Sequence, residues 1–283
     1  MEFFMKLGVR RSKLALAYAQ QVIDALPFPE IELVPIVTEG DVKHDQPISE
    51  MGGKGVFVSE IERHLIDKTI DIAVHSFKDL PAEMDDRLEI SAVLERNDPR
   101  DCFIGKLFPN AIVGTGSPRR IAQLQKNFNT PFEIKPIRGN IDTRIQKLEH
   151  NHYDAIILAV AGLETLNLQH KITKILPFDK MLPCVGQGVI AIQTRKDLPY
   201  PNVLKSITHL PTYYSVMAER ELLKTIEGDC HTAVGVISSI VGDCIILQAV
   251  NYENDKQYTT TGKLKDYIHC LLYTSPSPRD PTK

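Results

Sequence analysis

The sequence predicts an α/β protein made of two successive α/β domains and a smaller third domain of α+β type. Short apolar strands alternate with amphipathic helices through residues 1–95, and the same alternation restarts after the segment NDPRDCF. Alternation of this kind favours a parallel sheet covered by helices, so the restart indicates a second sheet. From residue 212 onward a helix is followed by three short strands without helices between them, which indicates a third domain of a different type.

In the first domain, KLGVR is predicted to be a strand, and Ser12 is predicted to cap a helix that ends before Pro27. The strands IELVPIV, DIAVHS and LEISAVL follow, with a helix from about Val58 between the first two. Residues 38–55 are polar and rich in glycine, and they have neither helical nor strand periodicity. A loop of that length is uncommon in a compact domain unless it has a function, so we predict a lid.

The second domain is expected over residues 98–182, with the strands AIVGT, FEIKPI and DAIILAV and with helices from Ser117 and Ile141. Residues 188–210 are expected to cross back and complete the first domain, as late segments often do in hinged two-domain folds. Residues 212–269 are expected to form the third domain, which looks truncated. Residues 270–283 change abruptly in composition and match one reading frame of a common sequencing adapter, so we predict a non-native tail.

The composition restricts the class of protein. The 283 residues carry a formal net charge of −3, which argues against a general nucleic-acid binder. No apolar run approaches the roughly 18 residues of a membrane-spanning helix, and the N-terminus lacks a signal-peptide pattern. The five cysteines contain no CxxC pair and are irregularly spaced, which favours a reducing compartment. We therefore expect a cytoplasmic monomer that uses neither membranes, nucleic acids nor a metal ion.

Pairs of arginines occur in two polar turns that follow predicted strands. In VGTGSPRR, Arg119 and Arg120 occupy the first turn of a helix, where cations oppose the helix dipole by about 0.3–1 kcal/mol. A bound anion explains this placement better than helix stability does. Arg138 and Arg144 flank the turn in IRGNIDTR, and the arginine fork suits carboxylates. Both turns could face one crevice at the carboxyl ends of the strands, and the alternative is two unrelated turns.

The segment DIAVHSFKDLP places Lys78 and Asp79 directly after a buried strand. Asp79 is either a neutral ion-pair partner of Lys78 or a lone carboxylate in a positive cleft, where it would stabilise a developing cation. His75 is interpreted as a half-buried strand residue. Cys230 lies in EGDCHTAVG, a predicted loop, where exposure favours reactivity, although a lone cysteine is more often inert.

The segments VRRSKLAL, GGKGVFVSEIE, DIAVHSFKDLP, VGTGSPRR, RGNIDTR, LPCVGQG and EGDCHTAVG follow one another between Gly8 and about Gly262. In order and spacing the chain resembles the porphobilinogen deaminase family. The resemblance implies two hinged domains like those of periplasmic binding proteins, with the active site between them and a cofactor domain alongside. It also implies a transferase of porphyrin, heme and other tetrapyrrole biosynthesis. Such an enzyme condenses four porphobilinogen molecules head to tail into hydroxymethylbilane, releasing ammonia, on a covalent dipyrromethane cofactor.

The same resemblance implies roles for individual residues. Asp79 matches the catalytic carboxylate, and Cys230 matches the residue that carries dipyrromethane through a thioether. The positions that bind the acetate and propionate groups of cofactor and substrate are matched by Arg10, Ser12, Lys78, Thr115, Ser117, Arg119, Arg120, Arg138 and Arg144. Lys54 and Phe57 lie in and beside the lid, and Lys171 stands where many members have arginine. The competing interpretation is a non-catalytic hinged binding protein for small carboxylates, which would need the arginines but neither Asp79 nor the thiol.

Overall fold

Two five-stranded sheets and one three-stranded sheet organise the computed structural model, which describes residues 4–27, 30–38, 58–199, 201–226 and 232–264. The predicted lid loop, the loop that holds Cys230 and the predicted non-native tail lie outside the described residues, apart from Thr38 at the start of the lid loop. No helix in the described ranges is both long and apolar enough to cross a membrane.

The first sheet has the strand order β2-β1-β3-β10-β4, in which β1 is parallel to both β2 and β3 while β10 is antiparallel to both of its neighbours. Its strands are β1 Phe4–Arg10, β2 Glu30–Ile36, β3 Ile72–Ser76, β4 Leu88–Val93 and β10 Ile190–Arg195. Helix α1, Lys13–Ala25, packs its apolar stripe on one face, and α2, Ser59–Ile66, packs on the other. Apolar side chains thus cover both faces. The sheet is mixed and not purely parallel as the alternation predicted, because β10 returns to it and pairs antiparallel with β3 and β4.

The second sheet has the order β7-β6-β8-β5-β9. Its strands are β5 Asp101–Gly105, β6 Ile112–Gly114, β7 Glu133–Lys135, β8 Ala155–Ala159 and β9 Lys174–Ile175. The helices of this domain are α3 Pro118–Asn127, α4 Ile141–Glu149 and α5 Val160–Thr165. Strand β6 is parallel to β7 and β8, so the turns that follow β6 and β8 emerge at the same edge of the sheet.

The chain passes between these two sheets twice, and the two connections are hydrogen-bonded to each other. The Asn97 amide donates to the Gly188 carbonyl at 2.9 Å, and the Arg96 Nε donates to the Gln187 carbonyl at 2.9 Å. Gly188 has a φ of +85°, and a Cβ there would lie 2.6 Å from the Asn97 carbonyl oxygen. Only glycine allows this close approach. We refer to the two paired connections, residues 94–100 and 176–189, as the hinge segment.

The remaining elements are α6 Pro201–Ser206, α7 Leu210–Thr225, β11 Val234–Val241, β12 Cys244–Asn251 and β13 Lys256–Lys263. The three strands form an antiparallel sheet, and α7 buries Val216 and Leu222 against it. Helix α6 instead packs with the first sheet through Leu204. The predicted fold class, two α/β domains with a small α+β domain, is confirmed.

Candidate active site

Asp79 ends a 3₁₀ turn, Phe77–Asp79, that directly follows β3. The turn is fixed because Phe77 is 2% exposed and its amide donates to the Val189 carbonyl at 2.9 Å, on the hinge segment. Asp79 itself is half-buried. Within the described residues no ion pair joins it to Lys78, so its carboxylate is not neutralised by its neighbour in sequence.

The charge of Asp79 reaches across to the second domain. Burial lowers the pKa of Arg144 to about 10, the Arg120 charge adds to this effect, and Asp79 opposes it. Burial also raises the pKa of Tyr18 on α1 to about 12, with a smaller contribution from Asp79. The two domains also touch through α1, since Lys13 pairs with Asp142 on α4 at 3.3 Å and a Cβ on Gly162 of α5 would lie 3.6 Å from the Leu14 Cδ2.

Arg138 and Arg144 lie on either side of the N-terminus of α4. The Arg144 Nε donates to the Gly139 carbonyl at 2.7 Å, which fixes the base of its side chain. The Arg138 Nη1 atom is buried and has no hydrogen-bond partner among the described residues. A buried N–H group without a partner is uncommon in a folded protein, and a water molecule or an anionic ligand would satisfy it.

Arg119 and Arg120 occupy the start of α3, which Ser117 caps by accepting the Arg120 amide at 3.5 Å. Both arginines are buried and share one carboxylate, Asp101 at the start of β5. The Arg119 Nη1 lies 2.8 Å from Asp101 Oδ2, and the Arg120 Nη2 donates to Asp101 Oδ1 at 2.7 Å. Burial alone would raise the pKa of Asp101, but the two guanidinium groups hold it well below its usual range.

Asp101 makes this site less positive than the sequence predicted, because it pairs with Arg119 and Arg120. It is fully buried, and the sequence analysis missed it because nothing near it in sequence marks it as a partner of arginines. One carboxylate offsets half of the charge of Arg119 and Arg120. The Nε atoms of both arginines are buried and have no hydrogen-bond partner among the described residues.

Of the other residues that the sequence predicted for the site, some cap the helices or end the strands described above, one lies apart from the arginines, and three lie outside the described residues. Thr115 is buried and its Oγ1 accepts the Ser117 amide at 3.3 Å, while Ser12 caps α1 by accepting the Ala15 amide at 3.2 Å. Arg10 ends β1 next to β3. Lys171 instead pairs with Glu149, at 2.8 Å, at the opposite end of α4 from its N-cap, and no described contact connects it with Asp79. Lys54, Phe57 and Cys230 lie outside the described residues.

His75 is more deeply buried than its strand pattern indicated. It is 5% exposed, and its Nε2 has no hydrogen-bond partner within the described ranges. Burial lowers its pKa from 6.5 to about 4, and the Arg10 charge contributes in the same direction. His75 is therefore neutral at pH 7, and we interpret it as a buried structural residue of β3.

The pKa of His75 predicts how stability depends on pH. Because the unfolded chain binds the proton more readily, stability is fully present above about pH 6.5 and falls as the pH is lowered towards about 4. The expected loss from this residue is about 3 kcal/mol at most. Urea unfolding of the native chain and of His75→Asn at several pH values measures it. The variant should have a shallower pH dependence between pH 6.5 and 4, and equal slopes would contradict the prediction.

The environment of Cys102 gives it little nucleophilic character. Burial, and then the charge of Asp101, raise the pKa of Cys102 to about 12, so it stays a thiol at neutral pH. Cys184 and Cys244 are half-buried, and the Cys184 Sγ lies 3.4 Å from the Gln187 Oε1. Cys102 is therefore a poor candidate for covalent attachment of a ligand, whereas Cys230 stays a candidate from its sequence context.

The chain matches two protein-family models. Residues 5–200 match the model described as porphobilinogen deaminase, dipyromethane cofactor binding domain, and residues 213–269 match porphobilinogen deaminase, C-terminal domain. The porphobilinogen deaminase of Brevibacillus brevis is 44% identical over 247 residues, which are 83% of this chain and 80% of that protein. The porphobilinogen deaminase of Caldicellulosiruptor saccharolyticus is 38% identical over 287 residues, 93% of this chain and 98% of that protein.

The chain also superposes, at low TM-scores, on solved structures of periplasmic proteins. The aliphatic sulphonate binding protein of Escherichia coli superposes with a TM-score of 0.41 at 11% identity, covering 79% of this chain and 70% of that one. The periplasmic VFT2 domain of BvgS from Bordetella pertussis gives a TM-score of 0.41 at 13% identity, covering 79% and 92%.

Proposed function

The chain belongs to the porphobilinogen deaminase family, and on this premise we propose how its own residues perform the reaction. The enzyme condenses four porphobilinogen molecules into hydroxymethylbilane, releases ammonia and uses a dipyrromethane cofactor. The observation that carries the assignment of roles is the half-buried Asp79 at the end of the 3₁₀ turn after β3, together with the buried guanidinium groups of the second domain that lack partners among the described residues. Family membership also favours catalysis over the competing interpretation of a passive binding protein.

The described residues fit a dipyrromethane. When bound, this group supplies the pyrrole carbon on which the chain of pyrroles is extended. Its acetate and propionate side chains need several cationic donors, and three buried guanidinium N–H groups stand without partners, on Arg119, Arg120 and Arg138. Arginine donates in a planar fork that suits carboxylates, so we assign these three residues and Arg144 to holding the side chains of cofactor and substrate. Arg10, Ser12, Lys78, Thr115 and Ser117 are assigned to the same task.

Asp79 has the opposite task. Loss of ammonia from porphobilinogen leaves a cationic azafulvene, and a cation is unstable beside arginines unless a carboxylate lies close to it. Asp79 supplies that carboxylate, held in place by the Phe77 contact with the hinge segment. A preorganised charge of this kind stabilises the transition state without reorganising at the moment of reaction. The arginines orient the substrate by its carboxylates, which brings the reacting carbons together.

Cys230, in the segment between α7 and β11, is assigned as the point of covalent attachment, Lys54 and Phe57 to the lid, and Lys171 to the substrate. The support for Cys230 is the sequence context EGDCHTAVG and the poor nucleophilic character of Cys102. Intact-protein mass spectrometry tests the assignment directly, since a covalent dipyrromethane adds a fixed mass to the chain.

Replacement of Arg144 by Leu tests the role of the arginines. In a partly desolvated cleft, the loss of one partner of a charged pair costs on the order of 2–5 kcal/mol. We therefore expect Arg144→Leu and Arg138→Leu to impair either cofactor assembly or elongation, measured by intact mass and by turnover. Arg63→Leu is the matched control because Arg63 is an exposed residue of α2 that pairs only with Glu60 among the described residues. Equal behaviour of the control and either site variant would contradict a specific carboxylate site.

The cellular setting is also part of the proposal. We place the enzyme in the cytoplasm, acting as a monomer without nucleic acid or a membrane, on the basis of its charge and its cysteine spacing. Light scattering of the purified protein gives the oligomeric state, and fractionation of cells gives the location. A stable dimer or a membrane-bound pool would overturn the corresponding part.

A further inference from the structure

Gln123 lies on α3 one turn after Arg119 and is fully buried. Its side-chain amide holds both polar groups of one residue, Leu182. The Leu182 amide donates to the Gln123 Oε1 at 2.7 Å, and the Gln123 Nε2 donates to the Leu182 carbonyl at 3.0 Å. The same carbonyl accepts a hydrogen bond from the Arg119 Nη1. Gln123 therefore holds in place the Leu182 carbonyl, which is also the hydrogen-bond acceptor of Arg119.

The third domain contacts this arrangement from the other side. The Tyr252 hydroxyl, just after β12, donates to the Gln123 Oε1 at 2.9 Å. Strand β11 comes so close that a Cβ on Gly235 would lie 2.7 Å from the Leu182 Cβ, and the Val236 amide donates to the Pro183 carbonyl at 2.8 Å. The Leu182–Pro183 segment thus lies between α3 and the third domain.

A second contact between the same two elements limits their relative movement. Lys126, at the end of α3, forms an ion pair with Asp255 and lies 5.7 Å from the centre of the Tyr252 ring. The exposed ion pair contributes little by itself. Together with the buried Gln123 contacts, it fixes the turn between β12 and β13 on the face of α3 that carries Arg119.

We infer that Gln123 is a positioning residue for the reaction and that, with Tyr252, it sets the orientation of Arg119 from the third domain. The inference rests on the proposed role of Arg119 in binding a carboxylate. Arg119 has two anchors, Asp101 and the Leu182 carbonyl, and only the second depends on Gln123. Weakening the second anchor leaves the charge of Arg119 in the site but lets the guanidinium move.

A substrate carboxylate bound by Arg119 is held equally in the ground state and in the transition state, because it does not react. Loss of such an interaction raises KM and leaves kcat nearly unchanged. A defect in folding would instead lower the amount of active enzyme, and therefore kcat. The division between KM and kcat thus separates a positioning role from a purely structural one.

The experiment compares Tyr252→Phe, Gln123→Met and their combination, each in the holoenzyme. Tyr252→Phe removes one hydroxyl and should raise the KM for porphobilinogen about fivefold, the scale of one net hydrogen bond. Gln123→Met should raise it about twentyfold or more, since it removes both contacts with Leu182. The double variant should resemble Gln123→Met, because the hydroxyl then has no Oε1 to position. Intact mass should show a full complement of cofactor in each.

Tyr258→Phe is the control, since it makes the same chemical change on the same sheet away from α3. If Tyr252→Phe leaves KM at the level of the control, or if the effects of Tyr252→Phe and Gln123→Met multiply, the inference is overturned. Tyr252→Phe alone decides the matter should Gln123→Met fail to fold. Arg119→Leu separates this inference from the proposed function. An unchanged KM in Arg119→Leu refutes the role of Arg119, whereas a raised KM there with a normal KM in Tyr252→Phe refutes only the role of Gln123 and Tyr252.

Discussion

Asp79→Asn is expected to reduce turnover by about a hundredfold or more, the scale for losing one preorganised electrostatic group. The substitution keeps the size of the side chain and removes its charge, and the half-buried carboxylate has no ion-pair partner among the described residues whose loss could unfold the site. In the variant, the charge of Asp79 no longer opposes that of Arg144, and Asp101 is already engaged by Arg119 and Arg120. Stopped assays of ammonia release or hydroxymethylbilane formation measure the effect.

Covalent cofactor should still be present in Asp79→Asn, because the arginines that hold it are unchanged. Asp86→Asn is a suitable control, since Asp86 is exposed and lies a few residues further along the same connection between β3 and β4. Near-normal turnover in Asp79→Asn, measured on protein whose mass shows bound dipyrromethane, would remove Asp79 from its assigned role.

The parts of this site that depend on local chemistry could be predicted from the sequence. Ser117 caps α3 and Pro118 occupies its first turn, as the order of residues indicates, because a helix cap involves only three or four neighbours. Ser12 caps α1 for the same reason. The alternation of strands and helices predicted the two α/β domains, since helices that alternate with strands pack on the faces of their sheet.

The parts that depend on distant residues could not be predicted. Asp101 stands in a charged segment that reads as a loop, yet it begins β5 and meets Arg120, which is 19 positions away. His75 is buried because β10 pairs with β3 from more than a hundred residues along the chain. Lys126 looks like an ordinary surface lysine in the sequence, but it pairs with Asp255 of the third domain. Only the folded chain brings these partners together.

Cys230→Ser is expected to yield protein largely without covalent pyrrole and with most of its activity lost. A thiolate is a better nucleophile than a hydroxyl towards the electrophilic carbon of an azafulvene, and the thioether that forms resists hydrolysis during repeated elongation. Cys102 does not offer a substitute, since burial raises its pKa to about 12. Without a primer, the first condensation has no acceptor that remains attached to the protein.

Intact-protein mass spectrometry, combined with the colour reaction of dipyrromethanes with acidic dimethylaminobenzaldehyde, measures the loss. Cys244→Ser is the matched control, because Cys244 is half-buried at the start of β12 in the same domain, and it should keep its cofactor. Any general weakening of the third domain would affect both variants, so the difference between them isolates the attachment chemistry. A Cys230→Ser protein that carries a full complement of covalent dipyrromethane would show that another residue holds the cofactor, and the assignment of Cys230 would then be wrong.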